Sequence, residues 1–469
     1  MFNVLTDPWI SARTGNTFSK YGILELFEKA HMIDEIVDGQ ATVECGLHRF
    51  VAVFAMDAIR PATEEDIEDL IERGSFDMDQ IRKYVEMCEA EGVSFDLFDP
   101  VNPFMQEPPS NEMKRWPATK LELFSPENMV FADPKFSGQR GITPDEAARR
   151  LTTIPMFPEG GSGYGVCISR TYYFFTLRGK NLFETICLNM VPTEAREYGI
   201  PYWRMKKPVL IDKKDKNRFS ANLLDGLTFP LRCVNLGEER PLIKEIGFDA
   251  CLKYSDKAPL WIDPYAAYTQ GKDGTISPIK NDSLPSPESW MTISAVLGST
   301  SLAPAIMTSS GVDADVFRVV SYSLWNKQAK GLQMSRNEYI IPRDLLKDTR
   351  KKEDIEIAVE SIKKYGKTLK KMFRQVQKLQ DNNISGIETQ YLNDFYDHCR
   401  AEFNLQIIHN VPDLSAWISD ITKAAYRTYY RFEEGVCNDA ASMEAIVKAK
   451  KELDRDNRQI TKKGANNNG

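Results

Sequence analysis

Hydrophobic positions recur at helical spacing through the first hundred residues. In "YGILELFEKAHMIDEI", Ile23, Leu24, Phe27 and Ala30 fall on one face, and in "GLHRFVAVFAMDAI" Leu47, Phe50, Val51 and Phe54 do the same before Pro61 stops the run. "TEEDIEDLIERG" carries its own boundaries: Thr63 and Asp66 stand at capping-box spacing, and Gly74 fits a C-terminal stop. From about 93 to 165 the text becomes rich in loop residues, with "FDPVNPFMQEPPSN" dense in proline and turn formers. "TYYFFTL" reads as a buried strand, and "NLFETICLNM" as a helix before Pro192. Between 200 and 345, short strands alternate with turns: "FPLRCVNL", "FDACLKY", "MTISAVLG", "VFRVVSYSLW".

After Pro342 the period lengthens. Four amphipathic segments follow, about 352–380, 386–405, 414–433 and 439–457, with Ile387, Tyr391, Phe395, Cys399 and Phe403 at intervals of four in the second. Short connections between long helices predict an up-and-down bundle. The expected fold is therefore α+β: a large mixed domain of short strands and helices over 1–345, a four-helix bundle over 346–460, and a disordered tail over 461–469.

Charge alters this picture in one place. The net charge of -7 excludes a generally basic nucleic-acid coat, so any such contact must come from a local patch. One exists: "SIKKYGKTLKKMFRQVQKLQ", residues 361–380, has seven basic residues and no acidic one. At about 100° per residue, Lys363, Lys367, Lys370, Lys371, Arg374 and Lys378 form one ridge opposite Ile362, Leu369, Met372, Phe373, Val376 and Leu379. A solvated face usually mixes signs, whereas a single-sign ridge suits a phosphate backbone; both readings stay open at this stage. The eight cysteines show no CxxC spacing and read as reduced thiols, with Cys233 and Cys251 unpartnered and no structural zinc expected. The opening "MFNVLTDPWIS" lacks the basic start and apolar core of a secretory leader, and no apolar run reaches the ~20 residues that span a bilayer, so a soluble cytoplasmic protein is expected.

Candidate chemistry is sparse. The four histidines, His31, His48, His398 and His409, have no ligand spacing and read as locally satisfied polar groups. No P-loop, nucleophile motif or metal-ligand string occurs, and no cofactor is expected. "EGGSGYG" places Gly160, Gly161, Ser162 and Gly163 where backbone N–H groups could meet a phosphate or base edge; on composition it reads as a flexible surface loop. "FRVVSYSLW" and "LQMSRNEYII" can pair as a hairpin that leaves Asn326, Lys327 and Gln328 at its tip, either an ordinary polar turn or a set of amides able to read or wedge a duplex.

Taken together, "LTDPWI", "LFEKAH", "DPVNPFMQ", the glycine stretch, "TLRGKNLFETICLN", the Asn-Lys-Gln turn and the C-terminal helices resemble the CasA large-subunit family of type I-E CRISPR surveillance complexes, Cascade. The resemblance implies a non-catalytic subunit that reads the PAM of double-stranded DNA while guide RNA reads the target by pairing. By this resemblance Gln328 matches the wedge, with Asn326 and Lys327 beside it. Gly160 to Gly163 match the glycine loop, and Lys253 matches a minor-groove lysine. Val130, Phe131, Ala132 and Asp133 match the segment that docks onto the guide RNA and a neighbouring subunit, and the ridge matches a bundle lying beside displaced DNA. Implied partners are target DNA, guide RNA, the other Cascade subunits and a helicase-nuclease. Two alternatives remain: a scaffold whose bundle binds partner helices, and a nuclease built on carboxylates such as Asp133 and Asp145.

Overall fold

The computed structural model describes residues 1–110, 113–122, 141–157, 172–209, 217–218, 221–255, 257–280, 289–298, 301–308, 316–327, 330–379, 385–409, 413–436 and 440–467. At the N-terminus, β1 (Ile10–Thr14) pairs with β2 (Thr17–Tyr21) and, on its other edge, with β3 (Glu35–Ile36); α1 (Ile23–Lys29) lies between β2 and β3 in sequence. The central element is α2 (Ala41–Ile59), apolar on nearly every side and almost wholly buried, as expected of a helix enclosed in a core. It ends where Arg60 takes the left-handed conformation at φ 54°, held by an ion pair to Asp57 and followed by Pro61, which cannot continue the helix. α3 (Glu64–Arg73) has both halves of the expected capping box, Thr63 with Asp66, and closes on Gly74 at φ 78°.

α4 (Met78–Ala90) packs beside α2, and its Tyr84 hydroxyl donates to the buried Asp57 at 2.7 Å. β4 (Arg115–Pro117) joins a three-stranded antiparallel sheet with β6 (Arg232–Asn235) and β7 (Glu245–Ala250); α5 (Pro144–Leu151), β5 (Tyr173–Arg178) and α6 (Leu182–Leu188) lie between them in sequence. The longest strands are β8 (Val316–Lys327) and β9 (Lys330–Pro342), an antiparallel hairpin extended by β5 into a sheet of order β9-β8-β5. Residues of the central strand β8 from Val319 to Leu324 are all buried, as a strand covered on both faces should be.

Four long helices close the chain: α7 (Thr349–Leu379), α8 (Ser385–Ile408), α9 (Leu414–Val436) and α10 (Ala440–Asn467). Their inward residues include Tyr365, Phe373, Phe395, Phe403, Trp417, Tyr429 and Leu453. Gly366 is required here, because a Cβ at that position would lie 1.9 Å from the Tyr396 hydroxyl of α8. The apolar core runs without a break from Val4 through the sheet into the bundle at Ile460, so the mixed body and the bundle share one interior.

Two sequence expectations are corrected. "MTISAVLG" is not a strand: Ser289–Ile293 forms a 3-10 turn and Ser294–Leu297 a helical turn. Trp290, Ile293, Val296 and Leu297 are buried at helical intervals, which a short apolar run cannot distinguish from a strand. The tail is not irregular from 461, since α10 continues to Asn467. Ile460 is buried against the bundle, which anchors the helix at the start of this stretch, and the Thr461 hydroxyl donates back to the Asn457 carbonyl. Among the described residues no helix is long and apolar enough to cross a membrane.

Candidate nucleic-acid interface

The hairpin pairs residue by residue from Val316↔Pro342 to Asn326↔Leu332, shifts register there, and ends at Lys327↔Lys330. Asn326 and Lys327 are thus the last residues of β8. Gln328 and the glycine stretch, Gly160, Gly161, Ser162 and Gly163, lie outside the described residues, as do Val130, Phe131, Ala132 and Asp133. The flanks of these segments are informative. The chain before the glycine stretch ends at Phe157, whose ring meets Phe174 of β5 edge-on at 5.3 Å. The chain resumes as β5, where Tyr173 pairs with Ser323 of β8. Both ends of the glycine segment are therefore tied to the strand beside the outer half of the hairpin. The flanks of the docking segment also meet, through a buried bond of 2.7 Å from Arg150 of α5 to Glu122. Lys253 belongs to a different, two-stranded parallel sheet, opposite Asn217.

The middle of the hairpin is fixed by a carboxylate from α2. Glu44 Oε1 accepts from Arg178 of β5 at 2.9 Å, from the Tyr322 hydroxyl of β8 at 2.6 Å and from Arg336 Nη2 of β9 at 3.1 Å; Arg336 Nε also reaches Glu44 Oε2 at 3.1 Å. Each strand of the sheet contributes one donor, and Tyr322 and Arg336 are direct cross-strand partners. Arg178 further donates to the Tyr322 hydroxyl at 2.6 Å. Burial pushes the Tyr322 hydroxyl well above its ordinary pKa, so it remains a proton donor. One turn along α2, His48 is buried. Burial first, then Arg178 and Arg336, hold it neutral, and its Nε2 has no hydrogen-bond partner among the described residues. The expectation of a locally satisfied histidine holds for its bond to the Ile36 backbone and fails at Nε2. Next to it, Arg49 pairs with Asp263 at 2.7 Å with both side chains buried, and its guanidinium stacks on Phe174 and Tyr265.

On its other side the sheet meets the bundle. The Tyr339 hydroxyl of β9 donates to the Trp290 carbonyl at 2.8 Å, and the Trp290 ring packs on Phe403 of α8 at 5.0 Å. The hairpin is thereby held along its inner half and middle between α2 and the bundle.

The basic ridge of α7 is largely as its periodicity predicts. Lys363, Lys367, Lys371, Arg374 and Lys378 are exposed and Lys370 is half-buried. The structure also shows a neutralised flank: Lys371 pairs with Glu452 of α10 at 2.6 Å, and Lys364 with Asp456 at 3.4 Å.

Asp145, a carboxylate of the nuclease alternative, is committed to structure. It accepts from Lys20 at 2.6 Å, Thr143 at 2.5 Å and Arg149 at 2.9 Å. Burial raises its pKa, but these three bonds outweigh burial and hold it well below the usual carboxylate range. Its supposed companion Asp133 lies outside the described residues. Cys233 and Cys251 do have partners, namely each other: strands β6 and β7 bring them into one small core with Tyr202 and Phe229. The bond to Cys251 first, and burial next, push the Cys233 thiol up. Lys207 lies over the Tyr202 ring in the same core, and burial pushes it down to about 7. Two thiols supply half of a tetrahedral zinc site, and among the described residues no group of three or more His, Cys, Asp or Glu could hold a metal.

Comparison with known proteins gives one consistent result. The chain is 26% identical over 401 residues to the CRISPR-associated protein CasA/Cse1 of Thermus thermophilus, covering 80% of this chain and 78% of that one. The solved structure of Thermus thermophilus CasA (Cse1) shares the fold with a TM-score of 0.79 at 22% identity, covering 98% of this chain and 99% of that one. A chain of a solved CRISPR RNA-guided surveillance complex shares it with a TM-score of 0.73 at 16% identity, covering 96% and 99%. The family of CRISPR-associated protein Cse1 matches residues 3–431, a span that ends within α9, and the chain belongs to that family.

Proposed function

We propose that this chain is the large subunit of a type I-E CRISPR RNA-guided surveillance complex, and that it recognises the PAM in duplex DNA, opens the adjoining base pairs and helps recruit a helicase-nuclease without catalysing a reaction itself. The observation that carries this reading is topological. The chain flanking the glycine segment and the hairpin ending in Asn326 and Lys327 meet on one sheet, which Glu44 clamps near the middle of the hairpin. A duplex held against that sheet meets backbone N–H groups from Gly160, Gly161, Ser162 and Gly163 and the amides of Asn326 and Gln328 together. Minor-groove edges carry a degenerate code, so few such groups suffice for a short, loosely specified motif. Gln328 acts as the wedge; unstacking a base step costs a few kcal/mol, offset by phosphate contacts and by guide–target pairing. Lys327 and Lys253 add positive charge to the groove contact. Val130, Phe131, Ala132 and Asp133 dock the chain on the guide RNA and a neighbouring subunit. Lys363, Lys367, Lys370, Lys371, Arg374 and Lys378 hold DNA backbone beside the bundle.

The test uses the assembled complex with guide RNA. Gln328→Ala weakens binding of intact PAM-bearing duplex by at least tenfold and leaves binding of a pre-opened duplex within about twofold, because the latter needs no unstacking. Equal losses on both substrates contradict a wedge.

A further inference from the structure

α10 carries a second basic face that the periodicity of α7 does not announce. This helix has seven basic and four acidic residues, Glu444, Glu452, Asp454 and Asp456, and the structure sorts them by side. Three of the acids are bonded to other helices: Glu452 to Lys371, Asp456 to Thr368 at 2.8 Å and to Lys364, and Asp454 to the Tyr426 hydroxyl at 2.5 Å. The fourth, Glu444, pairs with Lys448 on its own helix. Lys448, Lys451, Arg455, Arg458 and Lys462, spaced three and four residues apart, fall on one side and are all exposed. Among the described residues Lys451, Arg455 and Lys462 form no ion pair.

This stripe runs beside the ridge of α7. The contacts Lys364–Gln459, Thr368–Asp456 and Lys371–Glu452 show the two helices antiparallel, with α10 numbers falling as α7 numbers rise. In that register Lys363 stands across from Arg458, Lys367 from Arg455, and Arg374 from Lys448. The seam is electrically balanced, while the flanking rows on either side are basic. Neighbouring helix axes lie about 8–10 Å apart. Fifteen residues of helix give each row about 22 Å, or six to seven base pairs at about 3.4 Å each.

We infer that the α7–α10 face is a duplex-DNA cradle whose two cationic rows take the two phosphate rows that edge one minor groove. A single strand presents one phosphate row and would engage one stripe; a B-form minor groove about 6 Å wide presents two, at a separation comparable to that of the stripes. In a protein of net charge -7, this local concentration of cations supplies sequence-independent attraction by counterion release. The inference rests on the proposed DNA-binding role and adds α10 and the form of the nucleic acid to it.

The experiment is the salt dependence of DNA binding by the assembled complex carrying Lys451→Gln, Arg455→Gln and Lys462→Gln together. These side chains are exposed, so folding is unaffected, and Lys423→Gln on α9, also exposed, is the control. The slope of log affinity against log salt for duplex falls by about 0.9 per lost phosphate contact, hence by two to three, equally with and without a PAM. Binding of single-stranded DNA falls much less. An unchanged duplex slope, a loss confined to single strands, or a failure of subunit assembly with the slope intact each overturns the cradle. Gln328→Ala in parallel separates the two claims: if it still discriminates intact from pre-opened duplex while the stripe variant is silent, only the cradle fails.

Discussion

Replacing Glu44 by Gln should loosen the hairpin from the body. The change keeps volume and removes the charge that holds two guanidinium groups. The Glu44 and Arg178 side chains are 10% and 3% exposed, and that of Arg336 is 34% exposed. Removing one partner of a buried ion pair costs about 3–5 kcal/mol. Arg336 can recover water on its exposed side, so the lower end applies, about 3 kcal/mol. Because Glu44 ties α2 to one donor on each of β5, β8 and β9, the loss should appear as local opening between α2 and the sheet. Native-state hydrogen exchange of the β8 and β9 amides should accelerate by roughly 100-fold, since about 1.4 kcal/mol is a factor of ten. Amides of the α9–α10 pair, which does not touch Glu44, should be unchanged. In the assembled complex the same variant should weaken binding of intact duplex more than binding of pre-opened duplex, because a wedge on a loosened hairpin transmits less force. Tyr322→Phe keeps the ring and removes two hydrogen bonds, one to Glu44 and one from Arg178, and should show a smaller effect of about 2 kcal/mol. Hairpin exchange within threefold of wild type in Glu44→Gln would refute the clamp.

Gly366→Ala should destabilise the bundle by about 1–3 kcal/mol, because the new Cβ meets the Tyr396 hydroxyl and packed helices yield little; denaturant melts of the variant check this, and Gly366→Ala with Tyr396→Phe should recover part of the loss. Lys207, folded pKa about 7, lies below its unfolded value near 10.4. The unfolded chain therefore binds more protons between about pH 7 and 10, and this contribution to stability rises with pH across that window and levels off below it. The stability difference between wild type and Lys207→Met should climb over that range; a flat difference would mean that Lys207 is not held neutral. Asp145→Asn should lower stability, because three donors lose a charged acceptor, and should leave duplex binding by the assembled complex unchanged.

Features that depend on near neighbours could be read from the sequence. The Thr63–Asp66 capping box and the Gly74 stop occupy a dozen residues and appear as expected. The bundle was legible because a helical period sustained over twenty residues has few other solutions. "MTISAVLG" misled because eight mostly apolar residues carry too little period to separate strand from helical turn. The Glu44 clamp joins residues 134, 278 and 292 positions apart, and no local pattern encodes such a meeting. A trace of it was visible: Glu44 and His48 stand one turn apart in a helix whose other ionisable residues are only Cys45, Arg49 and Asp57, and buried ionisable residues need partners. The meeting of Cys233 and Cys251 was hidden for a related reason, since it follows from the antiparallel register of β6 with β7 rather than from cysteine spacing. On α10 the mixed signs concealed the stripe, because only the contacts of Glu452, Asp454 and Asp456 reveal that the acids face inward.

The most direct test of the central claim reads base-pair opening itself. A fluorescent adenine analogue is placed at the first base pair beside the PAM, and fluorescence is followed as the assembled complex with a mismatched guide binds, so that no guide pairing contributes. With the native chain, fluorescence should rise on binding. With Gln328→Ala it should stay at the duplex level although the DNA is bound at saturating complex. An equal rise with both proteins would contradict the account.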